Sequence, residues 1–235
     1  MFNRIEIQIY KLNRRMIKMC SLVDEQLASA LQSIYKEDID LAEKVIKLDD
    51  KVDRYDTKIS ESCQKILALN KPVSTDLRLL MSAPIINYNL ERIGDIAVNL
   101  CENFLLKKKK PSFFDRIKFV DMASIVQEML KNSIDSYIRM DVGLAKKVIV
   151  SDKILDRLNV ENHNLIIDVM KENSEYIEDA VAYLVMCRQL ERIGDHACNI
   201  AEEVFFISEG RAIKHNYGRI FPKENVVEST EKTED

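Results

Sequence analysis

Apolar residues recur at spacings alternating three and four along six stretches of this chain, the pattern of amphipathic helices. The first stretch runs through Ile5, Ile9, Leu12, Met16, Met19, Val23, Leu27 and Ile34. The second carries Val45, Leu48, Val52, Tyr55, Ile59 and Ile66, and Pro72 stops it. Ser74 or Thr75 can then cap a third helix, with Asp76 favourable in its first turn. The seam of that helix is Leu79, Ala83, Ile86, Leu90, Ile93, Ala97, Leu100 and Phe104. Pro84 lies inside it and predicts a bend or a shifted start, because it removes one backbone donor. A run of four lysines, Lys107 to Lys110, followed by Pro111, reads as a solvated linker between halves.

The pattern then repeats. Ala123, Val126, Leu130, Ile134 and Tyr137 form a fourth seam. The string DVGLAKKVIVSDKILDR, from Asp141, matches DIDLAEKVIKLDDKVDR, from Asp38, at an offset of 103. Tyr183, Met186, Leu190, Ile193, Ala197, Ile200 and Val204 reproduce the third seam in a sixth helix. The predicted fold is all-α: two tandem three-helix bundles related by an internal pseudo-twofold repeat. The expected bundles span 1–106 and 112–210, and 218–235 reads as a disordered acidic tail.

Composition agrees with long helices, since a 235-residue chain with 31% charged residues has only five Gly and four Pro. The net charge of −4 lies mostly in the tail, where Lys223 to Asp235 holds two Lys against five acids. No broad basic surface is left to suggest nucleic acid. The five cysteines have no C-x-x-C spacing and read as reduced thiols of a cytoplasmic protein. The charged N-terminal segment does not read as a signal peptide, and no stretch of 18 residues stays apolar.

Candidate chemistry comes from a doubled string. Leu90-Glu91-Arg92-Ile93-Gly94-Asp95 runs on through Ala97 to Asn99, and Leu190-Glu191-Arg192-Ile193-Gly194-Asp195 through Ala197 to Asn199. Each copy sets Glu, Asp and Asn one helical turn apart, on the side of the helix away from its apolar seam. The second helix offers Asp49, Asp53 and Asp56 beside its own seam, and the fifth repeats them as Asp152, Asp156 and Asn159. Antiparallel neighbours can close two such lines into one oxygen-rich groove per bundle. Clustered carboxylates repel one another unless they are protonated or neutralised, so each groove is expected to hold cations. The all-oxygen donors favour Mg, Mn, Ca or Fe over a closed thiolate zinc site. Gly94 and Gly194 each cost about 1 kcal/mol against Ala in a helix interior, so a close neighbour or ligand is expected at both. Arg92 and Arg192 are expected to pair with nearby acids, with phosphate binding as the alternative, and His196, where the first copy has Ile96, to pack or lie at the surface rather than serve as an extra ligand.

The two LERIGD-x-A-x-N strings, the KPVSTDLRLL segment before the first and the Val23-Asp24-Glu25-Gln26-Leu27 stretch resemble the PhoU family of phosphate-transport regulators. The resemblance covers the chain up to about Tyr217. It implies a cytoplasmic, non-enzymatic homodimer of two three-helix bundles, carrying multinuclear metal clusters held by E/D-x-x-x-D motifs. Carried to this sequence, the metal ligands would be Asp49 with Asp53, Glu91 with Asp95, Asp152 with Asp156, and Glu191 with Asp195. The ions would be divalent or ferric: Fe, Mn, Mg or Zn. The implied role is negative regulation of phosphate uptake and starvation signalling. The implied partners are the ATPase subunit of a phosphate ABC transporter and a phosphate-sensing histidine kinase, with membrane association only through them.

The second half departs from the pattern. Asn173-Ser174-Glu175-Tyr176 replaces the Pro and Asp-Leu-Arg entry of the first half, and Asn159 and Lys153 stand where Asp56 and Asp50 stood. Two other functions are weighed against the regulator. A metal-independent helical adaptor would use the acids to dock a basic partner. A carboxylate-bridged metalloenzyme would need inward Glu-x-x-His pairs, which neither acid line contains.

Overall fold

The computed structural model describes residues 4–212, so the expected tail at 218–235 lies outside the described residues. Six long helices form, α1 (Arg4–Lys36), α2 (Ile39–Leu69), α3 (Ser74–Lys107), α4 (Phe119–Arg139), α5 (Val142–Glu172) and α6 (Ile177–Glu209). No strand occurs among the described residues. Helices α1, α2 and α3 pack on one another, as do α4, α5 and α6, and α3 lies along α6 to join the two bundles. The seams are where the packing is. Met16, Met19, Val23 and Leu27 of α1 are buried, as are Val45, Val52 and Ile59 of α2 and Leu90, Ile93 and Ala97 of α3. The second bundle buries Val126 and Leu130, Val148 and Leu155, and Leu190, Ile193 and Ala197 in the same way.

The duplication extends to the helix caps. Asp38 accepts a hydrogen bond from Leu41 N at 2.9 Å to start α2, and Asp141 accepts from Gly143 N and Leu144 N at 2.8 and 3.1 Å to start α5. These two carboxylates satisfy orphan amide groups of the first turn and also suit its positive dipole end.

Three expectations are corrected. Neither Ser74 nor Thr75 caps α3: the N-cap is Val73, with no side-chain bond, and Ser74 has a positive φ of 51°. The Thr75 hydroxyl instead accepts from Arg78 Nη2 at 3.1 Å, while Arg78 Nε donates to Ile207 O at 3.0 Å. The start of α3 is thus tied to the end of α6, a tertiary contact that no local propensity encodes. Of the two effects expected of Pro84, the shifted start does not occur, since the helix runs unbroken from Ser74 to Lys107.

The lysine run is also more than a solvated linker. Lys107 Nζ pairs with Glu178 at 2.7 Å and Asp179 at 3.3 Å, fastening the end of α3 to the start of α6. Lys110 Nζ donates to Tyr35 O at 2.8 Å and sits over the Tyr35 and Phe114 rings. All five cysteines are free and buried. Among the described residues no helix is long and apolar enough to cross a membrane.

Candidate functional site

The doubled carboxylates meet where α2 crosses α3 and where α5 crosses α6. In the first bundle Glu91, Asp49 and Asp56 hold their protons more tightly than free carboxyls do. Burial, then the Asp95 carboxylate, then Asp56 and Asp53, push Glu91 up to about 7 against the opposing pull of Arg92. Burial raises Asp49, with Asp53, Asp95 and Asp50 adding to it, although Gln26 Nε2 donates to Asp49 Oδ1 at 3.0 Å and favours the ionised form. Asp56 is raised by burial and by Asp53, and accepts from Asn87 Nδ2 at 2.7 Å. Asp95 accepts from Arg92 Nη1 at 2.6 Å, the pair expected from the sequence.

The second bundle repeats the arrangement. Burial, then Asp156 and Asp195, push Asp152 up to about 6. Glu191 is raised by burial and then by Asp195, with Asp156 and Asp152 contributing and Arg188 opposing. Asp195 is raised by burial and Asp156, against Arg188 and Arg192. The structure therefore sets Asp49, Asp53, Glu91 and Asp95 close enough to act on one another electrostatically across α2 and α3, and Asp152, Asp156, Glu191 and Asp195 across α5 and α6. These carboxylates are half-buried or exposed, on the rim between helices and outside the apolar core.

The donor set is oxygen throughout, the chemistry that hard divalent or ferric ions take. A second observation bears on fit: Glu191 Oε2 is buried and accepts no hydrogen bond, while Glu191 Oε1 accepts from Arg188 Nη1 at 2.9 Å. A buried carboxylate oxygen with no donor is costly and suits a cation. Among the described residues no three His, Cys, Asp or Glu side chains converge closely enough to enclose an ion as they stand.

Both motif glycines are explained by helix approach. A Cβ at Gly94 would lie 2.9 Å from Gln26 Oε1, 3.3 Å from Val52 Cγ1 and 3.6 Å from Asp49 Oδ1. At Gly194 it would lie 2.4 Å from Leu155 Cδ2 and 3.6 Å from Asp152 Oδ1. The missing side chain lets α2 and α5 come close enough to set Asp49 and Asp152 beside the acids of α3 and α6. Gly194→Ala should therefore cost about 0–2 kcal/mol net: overpacking costs about 1–3 kcal/mol, and helix propensity returns about 1. Denaturant melts of Gly194→Ala, Leu155→Ala and the double variant check this. The double variant should lose less than the two single losses combined, because Leu155→Ala vacates the clashing volume.

The line of one ligand per turn does not hold to its end. Asn199 leaves the cleft, and its Nδ2 donates to Asn89 Oδ1 at 3.1 Å. Steps of four residues overshoot a 3.6-residue turn by about 40° each, so two steps from Glu191 carry Asn199 round to α3. His196 Nδ1 also meets Asn89 Oδ1, at 2.9 Å, so its role is packing between the bundles. Burial, then Arg192 and Arg92, lower its pKa to about 4. Arg192 makes no ion pair among the described residues; Arg188, four residues earlier, takes that part by binding Glu191. Sequence reasoning missed Gln26 and Asn87, the buried amides that orient Asp49 and Asp56. A polar residue between Val23 and Leu27, and another beside Ile86, were the available signals.

Comparison with known proteins returns one family. The PhoU domain model matches residues 16–104 and 119–204, one match per bundle. A phosphate-specific transport system accessory protein PhoU homolog from Aquifex aeolicus is 35% identical over 210 residues, covering 89% of this chain and 95% of that one. The Escherichia coli K12 accessory protein PhoU is 29% identical over 208 residues, covering 88% and 86%. The crystal structure of PhoU from Pseudomonas aeruginosa superposes with a TM-score of 0.84 at 30% identity, over 88% of this chain and 100% of that one.

Proposed function

Because this chain belongs to the PhoU family, we propose that it is an accessory regulator of a phosphate-specific transport system, restraining phosphate uptake and starvation signalling. The observation that carries the finer reading is the matched pair of four-carboxylate clefts. In it, Asp49, Asp53, Glu91 and Asp95 hold metal in the first bundle, and Asp152, Asp156, Glu191 and Asp195 in the second. Iron, manganese, magnesium or zinc would supply positive charge that neutralises each cleft and pins α2 to α3 and α5 to α6. The helices do the rest: Gln26 and Asn87 aim the carboxylates of α2, Gly94 and Gly194 admit the close approach, and α3 against α6 keeps the two clefts in fixed relation.

The role is regulatory rather than catalytic and is exercised by docking. Leu77, Met81, Ile85 and Tyr88 form an exposed apolar line on α3, and Ile177, Val181 and Val185 repeat it on α6. Large side chains exposed in a line and in duplicate suit a protein partner. The partners in this reading are the transporter's ATPase subunit and a phosphate-sensing histidine kinase, met in the cytoplasm by a homodimer. Metal-fixed helix geometry would make partner affinity depend on metal occupancy.

Deleting the gene should raise phosphate uptake and starvation-gene expression when phosphate is plentiful. Complementation with Leu77→Ser, Met81→Ser, Ile85→Ser should fail to restore control while the protein stays folded, and co-purification with the ATPase and kinase subunits should be lost. Unchanged uptake on deletion contradicts the regulatory role. Metal-free purified protein that still binds both partners supports the metal-independent adaptor instead.

A further inference from the structure

Beside the second acidic cleft lies a pocket of about 610 Å³ between α5 and α6, a volume that suits a small organic ligand. Arg188 and Arg192 of α6 line it together with Asn159, His163 and Asn164 of α5. Leu184 and Val185 give it an apolar wall. The internal repeat provides a built-in comparison. At offsets of 103 on α5 and 100 on α6, the first bundle has Asp56, Ser60 and Glu61 where the second has Asn159, His163 and Asn164, and Tyr88 where it has Arg188. Three substitutions remove two negative charges and add one positive, and Arg92 keeps its counterpart in Arg192. The same place on the two bundles is thus net acidic in one and net basic in the other.

We propose that this pocket binds a small oxyanion of the phosphate class, either inorganic phosphate or an organic phosphate monoester whose body lies against Leu184 and Val185. Arg188 and Arg192 stand one helical turn apart on the wall of the pocket, so two guanidinium groups can reach a single anion. One Arg188 donor is taken by Glu191 at 2.9 Å, which leaves the other guanidinium hydrogens, and those of Arg192, for a ligand. Guanidinium forks match phosphate oxygens two at a time, and amide or imidazole N–H groups from Asn159, His163 and Asn164 can take up the remaining oxygens. The pocket stands on its own residues and needs no metal in the neighbouring cleft.

The test is calorimetric titration of EDTA-treated full-length protein with inorganic phosphate and, separately, with phenyl phosphate. One saturable site is expected, weakened about tenfold or more in Arg188→Gln, Arg192→Gln. It should be unaffected in Lys65→Gln, Lys71→Gln, which removes the same charge from the first bundle. Tighter binding of phenyl phosphate marks an organic monoester as the ligand, and equal or weaker binding marks free phosphate. No saturable binding of either probe, or equal weakening in both double variants, overturns the proposal. Both variants replace exposed residues, and matching thermal melts exclude unfolding as the cause.

Discussion

Manganese added to the metal-stripped protein should raise its Tm by about 10–20 °C, and Asp152→Asn with Asp195→Asn should remove about half of that rise. A ligand that binds only the folded chain stabilises it by about 2.7 kcal/mol at one hundred times its Kd. For a chain of this length each kcal/mol moves Tm by about 2–4 °C. Two clefts act in one cooperative unit, because α3 packs along α6 and the buried apolar residues form one continuous cluster. Removing one cleft thus leaves the contribution of the other. Without metal the sign reverses: Asp152→Asn and Asp195→Asn relieve repulsion in a carboxylate group already raised by its own neighbours, and the stripped variant should melt higher than the stripped parent. A merely structural role for these acids predicts the opposite, a lower melt in both states. Full retention of the metal shift when Asp49 and Asp95 are also replaced by Asn would contradict the assignment.

The second large effect is a pH dependence that metal abolishes. In the folded chain Glu91 titrates at about 7 against an ordinary value of 4.5, and Asp152 at about 6 against 3.8. Between those values the native state holds more protons than the unfolded chain, so stability falls as pH rises through the window and levels off above about 7. Asp49, Asp56, Glu191 and Asp195 are raised as well and act in the same direction. His196 works against them. Its pKa falls from 6.5 to about 4, so the native state binds fewer protons there, and stability from this group rises with pH up to about 6.5. A comparison with Glu91→Gln isolates the carboxylate from the imidazole. Metal-free Glu91→Gln should be more stable than the parent at pH 8, and the two should converge at pH 4. Glu91 is partly open to solvent, so the gain is on the order of 1 kcal/mol, about 2–4 °C. With saturating manganese at pH 8 the order inverts, because the parent gains a ligand that Gln cannot replace. Thermal melts at pH 4, 6 and 8 with and without metal provide the check. A metal-free Glu91→Gln that melts below the parent at pH 8 would contradict the reading.

How much of this could be read from residues alone follows the range of the forces involved. Helix periodicity and the Asp38 and Asp141 caps are local, and all six helices lie where the spacing of apolar side chains put them. The electrostatic proximity of Asp49 and Asp53 to Glu91 and Asp95 was also legible, because the duplication tests one helix register against another. The failures lie where a distant group competes with a local rule. Thr75 could have capped α3, but Arg78 draws its hydroxyl towards the contact with Ile207. Asn199 belonged to the ligand line by spacing and was lost to Asn89 across the junction of the bundles. Lys107 and Lys110 read as solvent-facing charges, yet Glu178 and the Tyr35 carbonyl lie within their reach only once the helices are docked. Gln26 was visible as a polar residue in an apolar seam, and its task became apparent only with Asp49 placed 3.0 Å away.

The central claim is that two sets of carboxylates, repeated by duplication, are held together by cations. Anomalous diffraction from crystals of the full chain grown with manganese and measured near the manganese edge tests it most directly. The account predicts peaks between α2 and α3, beside Asp49, Asp53, Glu91 and Asp95, and between α5 and α6, beside Asp152, Asp156, Glu191 and Asp195. Peaks confined to other surfaces, or none at saturating metal, would contradict it.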